Sequence, residues 1–137
     1  MNFAEWTPTQ IDRHLAPLEA QRLDVKRLAD YGRWYLQLDL RPAEVARIRA
    51  GLEAAEARLA SLAATMTPLE AEFDRRGGWE RYYTTPNKAN AHVHRRTDCT
   101  TCREGTRFLW LPEFAAAPPS VVRRQVDPCS TCFKRWT

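Results

Sequence analysis

The sequence has no run of about 18 apolar residues, so no segment is long and greasy enough to cross a bilayer as a helix. Its first residues, Met1-Asn2-Phe3-Ala4-Glu5-Trp6, carry neither a basic n-region nor an apolar h-region. That absence predicts no secretory leader and a cytoplasmic location. Glycine is scarce, and no P-loop or paired-glycine fingerprint occurs, which removes the common nucleotide-binding frameworks. No serine/histidine/acid arrangement is visible, and neither is a helix-turn-helix or tandem-finger pattern. Cysteine is confined to four residues, all after Gly78. In a reducing compartment such a set reads as metal ligands before disulfides. Proline is missing from residues 43–67 although nine occur elsewhere, which leaves that stretch free to be one helix.

What is present divides into two parts of opposite charge. Residues 1–74 carry nine Lys/Arg against twelve Asp/Glu, a net −3, whereas residues 75–137 carry twelve against five, a net +7. Gly77-Gly78, after Arg75-Arg76, marks the junction. The expected organisation is a helical hairpin over residues 1–76 and a metal-binding module over residues 77–137, an α+β chain.

Thr7-Pro8-Thr9-Gln10 fits a capping box, with Thr7 as N-cap, Pro8 at the first helical position and Gln10 reaching back. Pro17 predicts a kink or restart in the helix that follows. Pro42 opens a second helix in which Val45, Ile48, Leu52, Ala55, Leu59, Leu62, Met66, Leu69 and Phe73 are spaced alternately three and four apart. Four unbroken heptads of this kind make a coiled-coil seam. The seam serves an intramolecular antiparallel hairpin, a homodimer, or both. Thr67-Pro68-Leu69-Glu70 repeats the capping logic and predicts a break or kink at Thr67.

The C-terminal part contains Cys99-Thr100-Thr101-Cys102 and Cys129-Ser130-Thr131-Cys132, two Cys-x2-Cys pairs separated by 26 residues. A two-residue insert lets both thiolates of a tight turn face one ion, and the long loop brings the second pair across a small sheet to complete a tetrahedron. The reading is a zinc-ribbon-like site, with Zn2+ held by Cys99, Cys102, Cys129 and Cys132. His92 and His94 make six candidates for four positions. They replace a cysteine, form a second site, support the ligands from outside the coordination sphere, or pack structurally. Residues 79–85, 91–94 and 107–111 read as strands, and residues 118–126 as a short helix.

The run Glu72-Phe73-Asp74-Arg75-Arg76-Gly77-Gly78-Trp79, the His92-Val93-His94 and Cys99-Thr100-Thr101-Cys102 motifs, Thr106-Arg107-Phe108, Trp110-Leu111-Pro112 and the closing Cys129-Ser130-Thr131-Cys132 together resemble a group of small uncharacterised proteins of actinobacteria and their bacteriophages. The resemblance covers residues 68–137 and implies a helical N-terminal half with a C-terminal cysteine/histidine module. It implies no activity. Here Arg95-Arg96 stand where members of the group carry small hydroxylated residues, which makes this loop more basic.

For function, the sequence favours a non-enzymatic zinc-binding accessory protein that binds nucleic acid or a nucleic-acid-processing machine. Arg95, Arg96, Arg103, Arg107, Arg123, Arg124, Lys134 and Arg135 surround the knuckles, interleaved with aromatic residues that can stack on bases. Two alternatives remain. One is a protein–protein adaptor acting through the coiled coil, for example a phage protein that modulates host transcription or replication machinery. The other is a metal-dependent hydrolase or nuclease using His92 and His94, which would require an open position on the metal.

Overall fold

The structure is a computed structural model and describes residues 2–86 and 92–133. A 3-10 turn at Phe3–Glu5 leads into α1 (Pro8–Tyr35) and α2 (Pro42–Arg75). Three two-residue strands follow, β1 (Tyr83–Thr84), β2 (Val93–His94) and β3 (Leu109–Trp110). A second 3-10 turn, Pro112–Phe114, and a single helical turn, α3 (Pro119–Val122), complete the described chain. The class is therefore α+β, as the pattern predicts.

The capping box forms as expected. The Gln10 amide donates to Thr7 Oγ1 at 3.2 Å, and the Thr7 amide donates to Gln10 Oε1 at 2.8 Å. Neither a restart at Pro17 nor a break at Thr67 occurs: α1 runs through Pro17 and α2 through Pro68. Each proline removes one N–H, and the turns on either side continue the helix. At Thr67 the hydroxyl donates back to the Ala63 carbonyl at 2.7 Å instead of capping a new start. A true stop comes at the glycine pair. The Gly77 amide donates to Asp74 O and the Gly78 amide to Phe73 O, with both glycines at positive φ. A Cβ at Gly78 would lie 3.0 Å from the Phe73 ring, so the positive φ favours glycine there and a side chain would also press on the ring.

Contacts group the chain into two compact units, Pro17–Glu70 and Met1–Ala16 with Ala71–Thr137. The first is an antiparallel hairpin. A Cβ on Gly32 of α1 would lie 3.0 Å from Leu52 and 3.7 Å from Ile48 of α2, so the glycine lets the two backbones approach closely. Arg58 donates to Gln21 at 2.6 Å across the same interface. The α2 seam is thus engaged within the chain.

The second unit joins the first turns of α1 and the end of α2 to the cysteine-bearing segment. Its three strands form an antiparallel sheet in the order β2-β1-β3, with Tyr83 opposite both His94 and Trp110. These strands are shorter than the sequence predicts: before Tyr83 the ladder gives way to single backbone bonds, from Leu111 N–H to Tyr82 O and from Ala116 N–H to Glu80 O. Trp79 and Arg81 turn to Asp12, whose carboxylate is 2% exposed and accepts from Trp79 Nε1 at 3.1 Å and from Arg81 Nη2 at 2.8 Å. The Arg81 guanidinium also lies 3.7 Å from the centre of the Phe73 ring and 4.3 Å from that of Trp110. The expected helix over residues 118–126 likewise shortens to α3, followed by turns. Tyr82, Val93, Val122 and Phe133 form the buried cluster under the sheet, and the Tyr82 hydroxyl donates to Ala117 O at 2.7 Å. The expected turn at residues 86–90 and the start of the second expected strand at Ala91 fall largely outside the described residues.

Candidate metal centre

The site is assembled by one connection. The segment entering the second knuckle runs parallel to β2 and bridges Val93 with Pro128. The Val93 amide donates to Asp127 O and the Cys129 amide donates to Val93 O, each at 2.9 Å. Side chains alternate along a strand. Val93 therefore enters the apolar cluster while its neighbour His94 turns to the cysteines, 3% exposed.

One donor atom each from His94, Cys99, Cys129 and Cys132 lies within 4.8 Å of every other. Cys99 Sγ and Cys129 Sγ are 3.7 Å apart, and His94 Nδ1 is 3.6 Å from Cys132 Sγ. Cys102 sits at the edge of this group, with its Sγ 3.6 Å from the other imidazole nitrogen, Nε2. The four cysteines expected as one set are thus gathered around His94, and the tightest four-donor set has His94 in the position expected for Cys102. These donors can hold a metal ion.

Each knuckle supplies hydrogen-bond donors to a sulfur. The Cys102 amide donates to Cys99 O at 3.1 Å, closing the first turn. The Thr101 hydroxyl is 3.0 Å from Cys99 Sγ and 3.6 Å from Cys129 Sγ, so the small polar residue inside the knuckle serves two sulfurs. Burial alone would raise the Cys129 thiol pKa. Hydrogen bonds from the Cys132 amide, Thr101 hydroxyl, Thr131 amide and Cys99 outweigh it, and the pKa is lowered. Burial pushes the Cys132 and Cys102 thiols up, and the neighbouring sulfurs add to this. A shared cation is what allows several such groups to lose their protons together. Burial first, and then His92, lowers the His94 pKa and favours the neutral imidazole that ligates metals.

His92 takes a different place. It is 45% exposed, and its Nδ1 lies 3.1 Å from Asp127 Oδ2, outside the donor set. It lines, with His94, Cys102 and Arg103, an open cleft of about 530 Å³.

The basic residues fall into separate environments. Arg95 pairs with Glu80 and lies over the Phe133 ring at 5.9 Å. Arg96 makes a two-pronged bond to Asp98 at 2.8 and 2.9 Å. Arg107 is half-buried, and Arg103, Arg123 and Arg124 are exposed. Lys134 and Arg135 lie outside the described residues.

Sequence reasoning left the role of His94 open and did not find Thr101 as a shared sulfur partner or Asp12 as the anchor of Arg81. Alternation in His92-Val93-His94 puts both imidazoles on one face and does not distinguish His94 from His92; the other two depend on contacts remote in the chain. Comparison with protein-family models, curated proteins and solved structures finds no match to this chain.

Proposed function

We propose that the protein is a non-enzymatic zinc-binding protein whose C-terminal segment folds around one structural ion, held by His94, Cys99, Cys129 and Cys132. The observation that carries this reading is the spacing of the donors. With Zn–S near 2.3 Å and Zn–N near 2.0–2.1 Å, a tetrahedron has S···S edges of roughly 3.8 Å and N···S edges of roughly 3.6 Å. The Cys99–Cys129 and His94–Cys132 separations, 3.7 and 3.6 Å, match these edges. Three thiolates and an imidazole are soft, tetrahedral zinc chemistry, of the kind that harder oxygen-seeking cations avoid. Four protein donors also leave no position for water or substrate, which favours a structural role over a hydrolytic one.

The ligand set is tested by metal analysis of four single variants. Cys99→Ser, Cys129→Ser and His94→Ala should each lose the zinc, whereas Cys102→Ser should keep one zinc per chain. Cobalt substitution reads the number of thiolates independently through the sulfur-to-cobalt absorption. A Cys102→Ser protein without metal refutes this ligand set. A wild-type chain that folds without metal refutes the structural role.

Nucleic-acid binding through the same segment is a second reading. It is favoured by the net +7 of residues 75–137 together with Arg103, Arg123 and Arg124 at the surface. The Arg95 and Arg96 ion pairs weaken it, because those cations are already neutralised. Its test is a gel shift across a salt series, with Arg124→Ala expected to lower the salt slope by about 0.9 on duplex DNA if that residue contacts a phosphate.

A further inference from the structure

The helical hairpin carries a feature that the metal centre does not use. Leu28, Tyr31, Trp34, Tyr35 and Leu38 are each between 42% and 69% exposed. They are the large apolar residues most open to solvent anywhere in unit Pro17–Glu70. At 100° per residue these five positions fall within about 120° of one helix surface. Past the end of α1 the turn tightens through i→i+3 bonds, with Gln37 donating to Trp34 O and Leu38 to Tyr35 O, so Leu38 continues the stripe. The rings support one another: Trp34 meets Tyr35 edge-on at 5.1 Å, and Tyr31 lies 6.1 Å from Tyr35. Ala29 and Gly32 face elsewhere, Ala29 buried and Gly32 against α2, so the hairpin interface and the stripe are different faces of α1.

We infer that this stripe is a homodimerisation surface, on which α1 of one chain packs against α1 of a second copy. Three observations select a second copy as the occupant. The first is spacing. Leu28, Tyr31, Tyr35 and Leu38 are three, four and three residues apart, which is a self-complementary helix-pairing pattern. A twofold axis between Tyr31 and Tyr35 would set Leu28 against Leu38 and Tyr31 against Tyr35 of the other copy, bringing the same patch together from both chains. The second is charge. Residues 17–70 contain eight Lys/Arg and eight Asp/Glu, so two hairpins meet without net repulsion between them. The same neutrality argues against a nucleic acid or an anionic lipid surface, both of which need an excess of cations.

The third is area. Three half-exposed rings, at 150–250 Å² each when whole, together with two leucines, present on the order of 500 Å² of apolar surface. That is at the upper end for a monomer. A stable pair takes about 800 Å² from each partner, so the stripe would supply more than half of that area and its polar surroundings would have to supply the rest.

The test uses the full-length, metal-loaded chain in sedimentation velocity and light scattering up to about 100 µM. The expected mass is twice the 15.8 kDa of one chain, and association should persist at high salt because no net charge drives it. The double variant Leu28→Glu/Tyr35→Glu should be monomeric with unchanged helical circular dichroism, since both positions are exposed in the single chain. Tyr31→Lys buries a charge against the apolar patch of the second copy. It should weaken association at least tenfold, whereas Tyr31→Phe should not. A wild-type monomer throughout, a dimer that survives both the double variant and Tyr31→Lys, or association that collapses with salt overturns the inference. None of these results bears on zinc binding, so the two proposals fail separately.

Discussion

Replacing Asp12 with alanine tests whether the first turns of α1 and the cysteine-bearing segment fold as one unit. The Asp12 carboxylate is almost wholly buried, and it holds Arg81, itself 14% exposed, by bonds of 2.8 to 3.2 Å. Truncation leaves a buried guanidinium unpaired, a loss of about 3–5 kcal/mol. It also leaves Trp79 Nε1 without its acceptor, about 1 kcal/mol more. Against this, Arg81 keeps its stacking on Phe73 and Trp110, which compensates part of the charge. The net expectation is therefore about 3 kcal/mol, a large share of the 5–15 kcal/mol that stabilises an ordinary domain. With a urea m-value near 2 kcal/mol per M, the midpoint should fall by roughly 1.5 M. The assay is equilibrium urea unfolding at a fixed concentration of added zinc, followed by tryptophan fluorescence and by circular dichroism. The double variant Asp12→Ala/Arg81→Met removes both charges and should recover much of the loss, giving a coupling of about 2 kcal/mol in the cycle. A midpoint shift below about 0.3 M in Asp12→Ala would show that the ion pair does not join the two segments.

Two further outcomes follow from the end of α2. Hydrogen bonds from Arg75 and then Arg76 hold the Glu72 carboxyl at about 2, below its ordinary 4.5. A depressed carboxyl contributes stability that is present above pH 4.5 and lost as pH falls through 2. Carboxyl-detected NMR should show Glu72 titrating near pH 2, and a midpoint at 4 or above contradicts the pairing. Gly78→Ala should cost more than Gly77→Ala in urea unfolding. Both pay the left-handed penalty of about 1–2 kcal/mol, and only Gly78 adds a Cβ against the Phe73 ring at 3.0 Å. Equal losses would mean that the ring moves aside without cost.

Much of this architecture is legible in short stretches of sequence. The Thr7–Gln10 cap, the Pro42 start, the three-four spacing along α2 and the Gly77-Gly78 stop depend on residues within one or two turns of each other, and each appears where local chemistry places it. The two Cys-x2-Cys knuckles are legible for the same reason, because a tight turn sets the relation between their ends. Local logic admits a restart at Pro17 and a break at Thr67, and neither occurs, because helix turns on both sides of a proline outlast the one bond it removes.

The sequence by itself thus determined the helical hairpin, its seam, the α+β class and the pool of metal donors, since all are written in periodicity, caps and spacing. Only the tertiary structure decided how that pool is arranged. His94 joins Cys99, Cys129 and Cys132 because the residues entering the second knuckle bridge to β2, while His92 is left beside Asp127. Arg95 and Arg96 read as a basic pair in sequence and become partners of Glu80 and Asp98 in space. Asp12 anchors Arg81 from 69 positions away. Such pairings are set by distances of a few ångströms between groups far apart in the chain. The packing of the whole second unit fixes those distances, and no local pattern encodes them.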